Sequence, residues 1–415
     1  MTADTCLQQA SGCINSSLSL PGFFNEKVLF PSLEELKLSS MCQLKRIWHD
    51  QLHGQSFCKL TSLTVELCEN LSHVFSSNPM DMLQSLNKIK VVRCPSLEAL
   101  FEPISLSVEK RQKPLVLPAL RELMLLNLSR LRDILESDCK VTLAFPRLME
   151  VNVRGCHSLP YLFSSATAEI LDKLVVLDVS YCNNLRGIIA MEEGKWKTLE
   201  TLKFRQLSTL KLGDLENLIS FYSMSCASDG LHPLFDEKVK FPNIESMEIS
   251  HMNNLEKIWL DDLASNAFSK LKTLVVKDCE KLSSIFSSYT MFTRFQNLEK
   301  ISVTDCGSLE AVFHVQEFNF SEACPTSTFQ LRELVLTRLP KMKHVWSEHP
   351  QGGLTFGCLR CMEIVECERL KSLFPSSVAK SMTQLEELLV RECGVQEIIV
   401  EEDGVEMNAR DLFFP

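Results

Sequence analysis

One recurring frame constrains the fold of this chain more than any other feature. From Leu60 the apolar residues fall at Leu60, Leu63, Val65, Cys68, Leu71, Val74 and Phe75, or +0, +3, +5, +8, +11, +14 and +15. The same frame returns at Leu271 and again at Leu298. Anchored on its first position it recurs at Leu33, Leu60, Leu86, Leu120, Leu148, Leu174, Leu199, Ile244, Leu271, Leu298, Leu331, Leu359 and Leu385. Internal repetition of this kind overrides the two or three globular domains that 415 residues would otherwise suggest.

Most spacings are 25 to 28 residues, the length of leucine-rich repeats. Positions +3 and +5 alternate inward as in a short strand, and +8, +11 and +14 return apolar groups to the same core. One such unit cannot bury its apolar face alone, so neighbours must stack. The expected fold is an α/β repeat solenoid: an arc with a parallel β-sheet on its concave face and short helices, 3-10 turns and loops on its convex face.

A longer period of three repeats lies above the first. One member ends in tryptophan at +15 (Trp48, Trp259, Trp346), and the next in phenylalanine followed by serines (Phe75, Phe163, Phe286, Phe374). The third ends in an acidic stretch, as in 96–102 and 308–313. The copy anchored at Leu199 reads as an extra, degenerate unit, because Gly213 and Asp214 fall at its +14 and +15. Insertions are expected near 102–116, 213–240 and 314–328, and the serine pairs read as N-caps of short helices such as 165–171. Residues 20–38 align without a gap on 231–249, so 1–29 reads as a truncated inter-repeat loop leading into repeats over 30–415. Phe414-Pro415 reads as the opening of a further repeat.

Eight cysteines occupy +8, where other copies carry Met41, Leu128, Leu207, Met252 and Leu339. A disulfide or metal site would not accept leucine there, so these cysteines read as small buried hydrophobes. Cys358 and Cys361 have metal-like spacing but no second pair close by in sequence. His49 and His53 read as loop residues, and the N-x-S sites at Asn70 and Asn127 fall inside the repeat turn. No phosphate-cradling GxxxxGK[ST] segment occurs, and no nucleophile or metal set is positioned, so no enzyme is expected. A formal charge of −10 disfavours nucleic acid. No apolar run is long enough to span a membrane and no signal peptide precedes the repeats, while 17 cysteines suit a reducing cytoplasm or nucleus.

Three phrases carry a resemblance: Phe30-Pro-x-Leu-x-x-Leu-x-Leu38, Leu339-Pro-Lys-Met-Lys-His-Val-Trp346 and Glu397-Ile-Ile-Val-Glu-Glu-Asp403. In these the chain resembles the C-terminal repeats of plant intracellular nucleotide-binding leucine-rich repeat receptors of the coiled-coil disease-resistance class. The resemblance implies a protein-recognition module for plant defence. Its partner would be a pathogen effector, a guarded host protein or the nucleotide-binding (NB-ARC) domain of a full-length receptor. No cofactor is expected in this chain; ADP or ATP would belong to that domain. An F-box-type leucine-rich repeat substrate receptor, or another cytosolic repeat scaffold, is the alternative, but residues 1–29 are too short and polar for an F-box.

Recognition would fall on concave positions +2, +4, +6 and +7. There the sequence offers a basic group, Lys88, Lys90 and Arg93, continued by Arg154, then Lys203 and Arg205. An acidic stretch of Glu363, Glu366, Glu387 and Glu392 follows. Opposite charges at two places on one arc could orient a partner, although the same residues also suit ordinary solvated strand positions.

Overall fold

The computed structural model describes residues 22–49, 52, 55–75, 83–102, 115–135, 143–190, 201–223, 233–260, 263, 267–287, 291, 294–313, 329–346 and 355–400. Thirteen parallel strands form one sheet in strict chain order, from Glu35–Ser39 in the first repeat to Glu387–Arg391 in the thirteenth. Neighbours pair in register, +2 against +2, as Lys88 with Glu122 and Glu150 with Val176 show. The sheet is parallel because each strand is regenerated by a complete turn of the solenoid.

Within each strand +3 and +5 are buried while +2 and +4 face outward, for example Leu63 and Val65 against Ser62 and Thr64. The core runs unbroken through the repeats and is closed on its far side by +8, +11 and +14. The thirteenth strand differs: Leu388 and Val390, at +3 and +5, are exposed. Each repeat's core is thus completed by the repeat that follows it.

Position +7 is where the chain leaves the sheet. In all thirteen repeats its φ is positive, 50 to 56° at twelve non-glycine residues and 70° at Gly155. The left-handed turn aims the +7 N–H at the +6 carbonyl of the next repeat, extending the ladder by one bond: Leu67 to Val92 at 3.0 Å, Arg93 to Leu126 at 2.9 Å. An L-residue in this conformation costs about 1–2 kcal/mol. Repetition makes it affordable, since stacking over-determines every copy.

The +8 cysteine sits directly behind that turn. Each of the eight places its Sγ 3.2–3.8 Å from the +6 carbonyl of its own repeat, as Cys182 does with Ser180 and Cys279 with Lys277. Seven of the eight are buried as expected, while Cys393 in the thirteenth repeat is only half-buried; all add a weak S–H donor at the turn, which leucine and methionine at the same position lack.

The seventh repeat corrects the register read from sequence. Its sheet strand is Thr209–Gly213, so its anchor is Leu207, with Leu210, Leu212, Leu215 and Leu218 following. Phe221 and Tyr222 then fill +14 and +15, both buried, and the repeat is not degenerate. Leu199 is not its anchor, and Leu215 rather than Leu207 stands at +8. The frame is self-similar: shifting it by eight residues lays +0 on +8 and +3 on +11, so Leu207 and Leu210 satisfy both registers. The single insertion expected over 213–240 is therefore not found: 213–223 and 233–240 hold turns and strands of the repeat, and 224–232 lies outside the described residues. The other two insertions also fall mainly outside them, as does Phe414-Pro415.

The convex side carries more strand than expected. Residues at +13 to +15 form short parallel ladders, His73–Phe75 with Ala99–Phe101 and Asp133–Leu135, and Ser284–Phe286 with Ala311–Phe313 and His344–Trp346. Short helices lie at Ser165–Ala168 and Ser376–Ser381. Ser164 caps the first by accepting from the Thr167 N–H at 3.2 Å, as the serine pair suggests. In the second Pro375 takes the cap position and Ser376-Ser377 lie inside the helix.

Within the two aligned segments, the described residues 22–38 and 233–249 share one local structure. Phe24 bridges to Trp48 and Phe235 to Trp259, and each is followed by the same turn, in which Asn25 or Asp236 Oδ1 accepts the N–H two residues on. Burial raises the Asp236 carboxyl pKa, opposed by the Lys238 N–H. A group whose folded pKa is raised loses stability as pH climbs through that value. Asp236→Asn, which copies the Asn25 turn, should therefore raise the melting temperature at neutral pH. The gain should vanish below roughly pH 4, where the aspartate is neutral as well. A gain equal at both pH values would show that charge burial is not its source.

Candidate functional site

The concave face is a grid of +2, +4 and +6 side chains, flanked by the +7 row at the left-handed exit. The +3 and +5 positions beneath are uniformly apolar, whereas the grid mixes Lys, Glu, Asp, Ser, Thr, Asn, Val, Leu, Met and Cys. Structure thus fixes the lower layer and leaves the upper one free.

Much of the grid's charge is consumed internally. Neighbouring strands stand about 4.8 Å apart, so opposite charges meet between register partners, diagonally between +4 and +6, and between successive +7 residues. Lys88 binds Glu122 at 2.5 Å, and Glu66 binds Lys37 at 2.8 Å with Lys90 at 3.9 Å. Farther along, Lys277 meets Glu248 at 3.0 Å, Lys300 meets Glu333 at 2.6 Å, and Arg338 meets Asp305 at 2.5 Å. The Lys37 ammonium, with Lys90 beyond it, lowers the Glu66 pKa, and the Arg338 guanidinium lowers that of Asp305. Burial raises the pKa of Asp178, opposed by Lys211 and Arg154.

Of the sequence-predicted residues, Lys88, Lys90, Arg93 and Arg154 do lie together on repeats three to five, but the two lysines face carboxylates. Arg154 lies over the Tyr181 ring, 4.6 Å from its centroid. Lys203 and Arg205 are not on the face. Lys203 belongs to a two-residue strand paired with Val239–Lys240, and Arg205 sits in the turn before the seventh strand, 3.5 Å from Asp172. The register shift explains the error, and Lys211 holds the +4 position instead, between Asp178 and Glu248. Glu363 and Glu387 stand on the last two strands, with Glu366 and Glu392 at their left-handed exits. Register places Cys361 between Glu333 and Glu387, and burial followed by these carboxylates raises its thiol pKa.

Sequence reasoning missed a cluster among the apolar members of the grid: Val92, Met124 and Leu126, with Leu67 beside them at +7. Their signal was legible, since each is an apolar residue where the template needs none.

Among the described residues no group of three or more His, Cys, Asp or Glu could hold a metal ion, and no helix is long and apolar enough to cross a membrane. His49 lies 3.9 Å from Glu26; His53 is outside the described residues. The twelve described cysteines are free. Burial pushes the Cys94 thiol up to about 11 and that of Cys367 up to about 12. At about pH 8, iodoacetamide should, among the described cysteines, label exposed Cys42 and Cys58 first and leave Cys94, Cys156 and Cys367 unmodified until urea is added. Peptide mass mapping reads this directly, and native-state labelling of Cys156 at the Cys42 rate would contradict the packing.

Fold and site together define a leucine-rich repeat solenoid with a variable sheet face. The family model described as plant disease resistance protein RPS2-like leucine-rich repeats matches residues 32–183 and 243–394, and the chain belongs to that family. The "probable disease resistance protein At4g27220" of Arabidopsis thaliana is 35% identical over 149 residues, 35% of this chain. The match spans 16% of that relative's length. A leucine-rich repeat protein from Bacteroides ovatus aligns over 87% of this chain and 84% of its own, at 13% identity and a TM-score of 0.19. The TLR13–ssRNA13 complex aligns over 88% of this chain and 65% of its own, at 15% identity and a TM-score of 0.22.

Proposed function

We propose that this chain recognises a protein partner in plant defence through its concave face, either a pathogen effector or a guarded host protein. Within a full-length receptor, the same face would regulate a nucleotide switch carried on another domain. The observation that supports this reading most directly is the division of labour within each strand. Buried +3 and +5 residues are interchangeable aliphatics, while +2, +4 and +6 vary freely in charge, size and polarity. A surface so constructed can change its specificity without changing its fold.

Site-specific photocrosslinking tests the reading. A photoreactive amino acid placed in turn at Thr64, Met124, Glu248 and Ser302, all at +4, is compared in plant tissue with the same group at exposed turn positions such as Lys281. Partner adducts should form from the concave set. Adducts confined to the turn set would move the recognition surface elsewhere.

A further inference from the structure

The concave face is not uniform. In repeats two to four it carries Leu67, Val92, Met124 and Leu126, which belong to one contiguous patch. Val92 and Leu126 are register partners, as are Lys90 and Met124, and the Leu67 N–H donates to the Val92 carbonyl at 3.0 Å. Leu67 is 44% exposed, and the other three are half-buried. An apolar cluster of this kind on a polar grid marks an interaction site.

Two arginines flank it. Arg93 follows Val92, and its N–H donates to the Leu126 carbonyl at 2.9 Å. Its guanidinium makes no ion pair with a described residue. Arg154 is the register partner of Leu126, and its guanidinium lies over the Tyr181 ring. The nearby lysines differ, since Lys88 and Lys90 face Glu122 and Glu66. Arg154 also lies within coulombic range of Asp178, but neither guanidinium makes a close ion pair with a described residue, and these two are the charge the patch offers a partner.

We propose that this patch takes a short acidic and apolar segment of a protein partner. One or two bulky apolar side chains would rest on Val92 and Leu126. A carboxylate at each end would meet Arg93 and Arg154, the second reinforced by the aromatic ring beneath it. Arg93 and Arg154 lie two strands apart, roughly 10 Å, which about three residues of extended chain span. Side chains on one face of an extended segment recur every second residue, so the segment would place acidic residues at i and i+4 around an apolar residue at i+2, with the flexible arginine side chains covering the extra span. A basic segment would leave both guanidinium groups facing like charge.

This assignment rests on reading the concave face as the recognition surface, and narrows it. The test is selection of random short peptides on the full chain, with fluorescence polarisation of the enriched peptides against variants. Enriched peptides should carry the acidic–apolar–acidic pattern. Arg93→Glu, Arg154→Glu and Leu126→Asp should each weaken them by about tenfold or more. Lys281→Glu, an exposed turn variant, should leave them unchanged, and circular dichroism checks that each variant is folded. Peptides lacking acidic residues, or binding unaffected by both arginine reversals, would overturn the assignment. If binding is instead lost in Glu363→Lys or Glu387→Lys, the patch falls while the concave reading stands. If no concave variant matters, both fall.

Discussion

Phe241→Ala is expected to cost about 3–5 kcal/mol and to divide the solenoid's unfolding into two transitions. Phe241 stands three residues before the eighth repeat's anchor and is fully buried. Its ring packs on Phe204 at 5.5 Å, Phe221 at 5.3 Å, Phe235 at 5.6 Å and Phe268 at 5.5 Å, so one side chain ties the seventh, eighth and ninth repeats together. The cost exceeds that of a lost contact because four rings around one vacancy cannot all collapse into it. Solenoid stability is a sum of repeat and nearest-neighbour terms, so the loss concentrates at one place along the array. Urea unfolding should become biphasic. Hydrogen exchange should show amides of repeats seven to nine losing protection while repeats two to four keep theirs. Phe241→Leu, which retains most of the volume, should shift the midpoint without dividing the transition. A uniform loss of protection along the whole array would mean that the repeats are coupled far beyond their neighbours.

The sequence frame made most of this fold legible because buried positions recur with fixed spacing. Twelve of the thirteen sheet strands start where the anchors place them, two residues on. The seventh failed because Leu207 and Leu210 satisfy two registers at once. What breaks the tie is Phe221-Tyr222, an aromatic pair at +14 and +15, together with Phe204 at −3, where Phe57, Phe145, Phe241 and Phe268 stand in other copies. The left-handed +7 row was hidden for a different reason. Leu67, Arg93, Tyr181 and Glu366 have no preference for that conformation, which stacking imposes on them. The convex ladders were also hidden, since a three-residue strand leaves no period to detect. At the candidate site, sequence put Lys88 and Lys90 on the sheet strand but could not show that Glu66 and Glu122, one repeat away on either side, face them.

Gly155→Val should destabilise the chain by about 2–4 kcal/mol, combining the left-handed penalty with overpacking. Glycine stands at this one +7 position for a local reason. A positive φ alone does not demand it, because the other twelve copies reach the same conformation with side chains, bulky Leu67 and Tyr181 among them. The difference is local crowding. A Cβ on Gly155 would lie 2.5 Å from Asn127 Oδ1 and 3.2 Å from the Asn127 Cα. Asn127 is the +7 residue of the preceding repeat, itself left-handed, so two successive turns are pressed together here. Valine adds a β-branch to a backbone that already disfavours any Cβ, and should therefore do worse than alanine. The crowding has a partner that can be removed. Asn127→Gly keeps the left-handed turn and deletes the oxygen that the new Cβ would strike, so it should recover part of the stability lost in Gly155→Ala. Urea unfolding of the two single variants and the double variant gives the coupling directly. Strict additivity would show that the strain of Gly155→Ala lies in its own backbone rather than in the stacking of consecutive turns. A favourable coupling would show that in this solenoid a residue is selected by its neighbour one repeat away as much as by its own conformation.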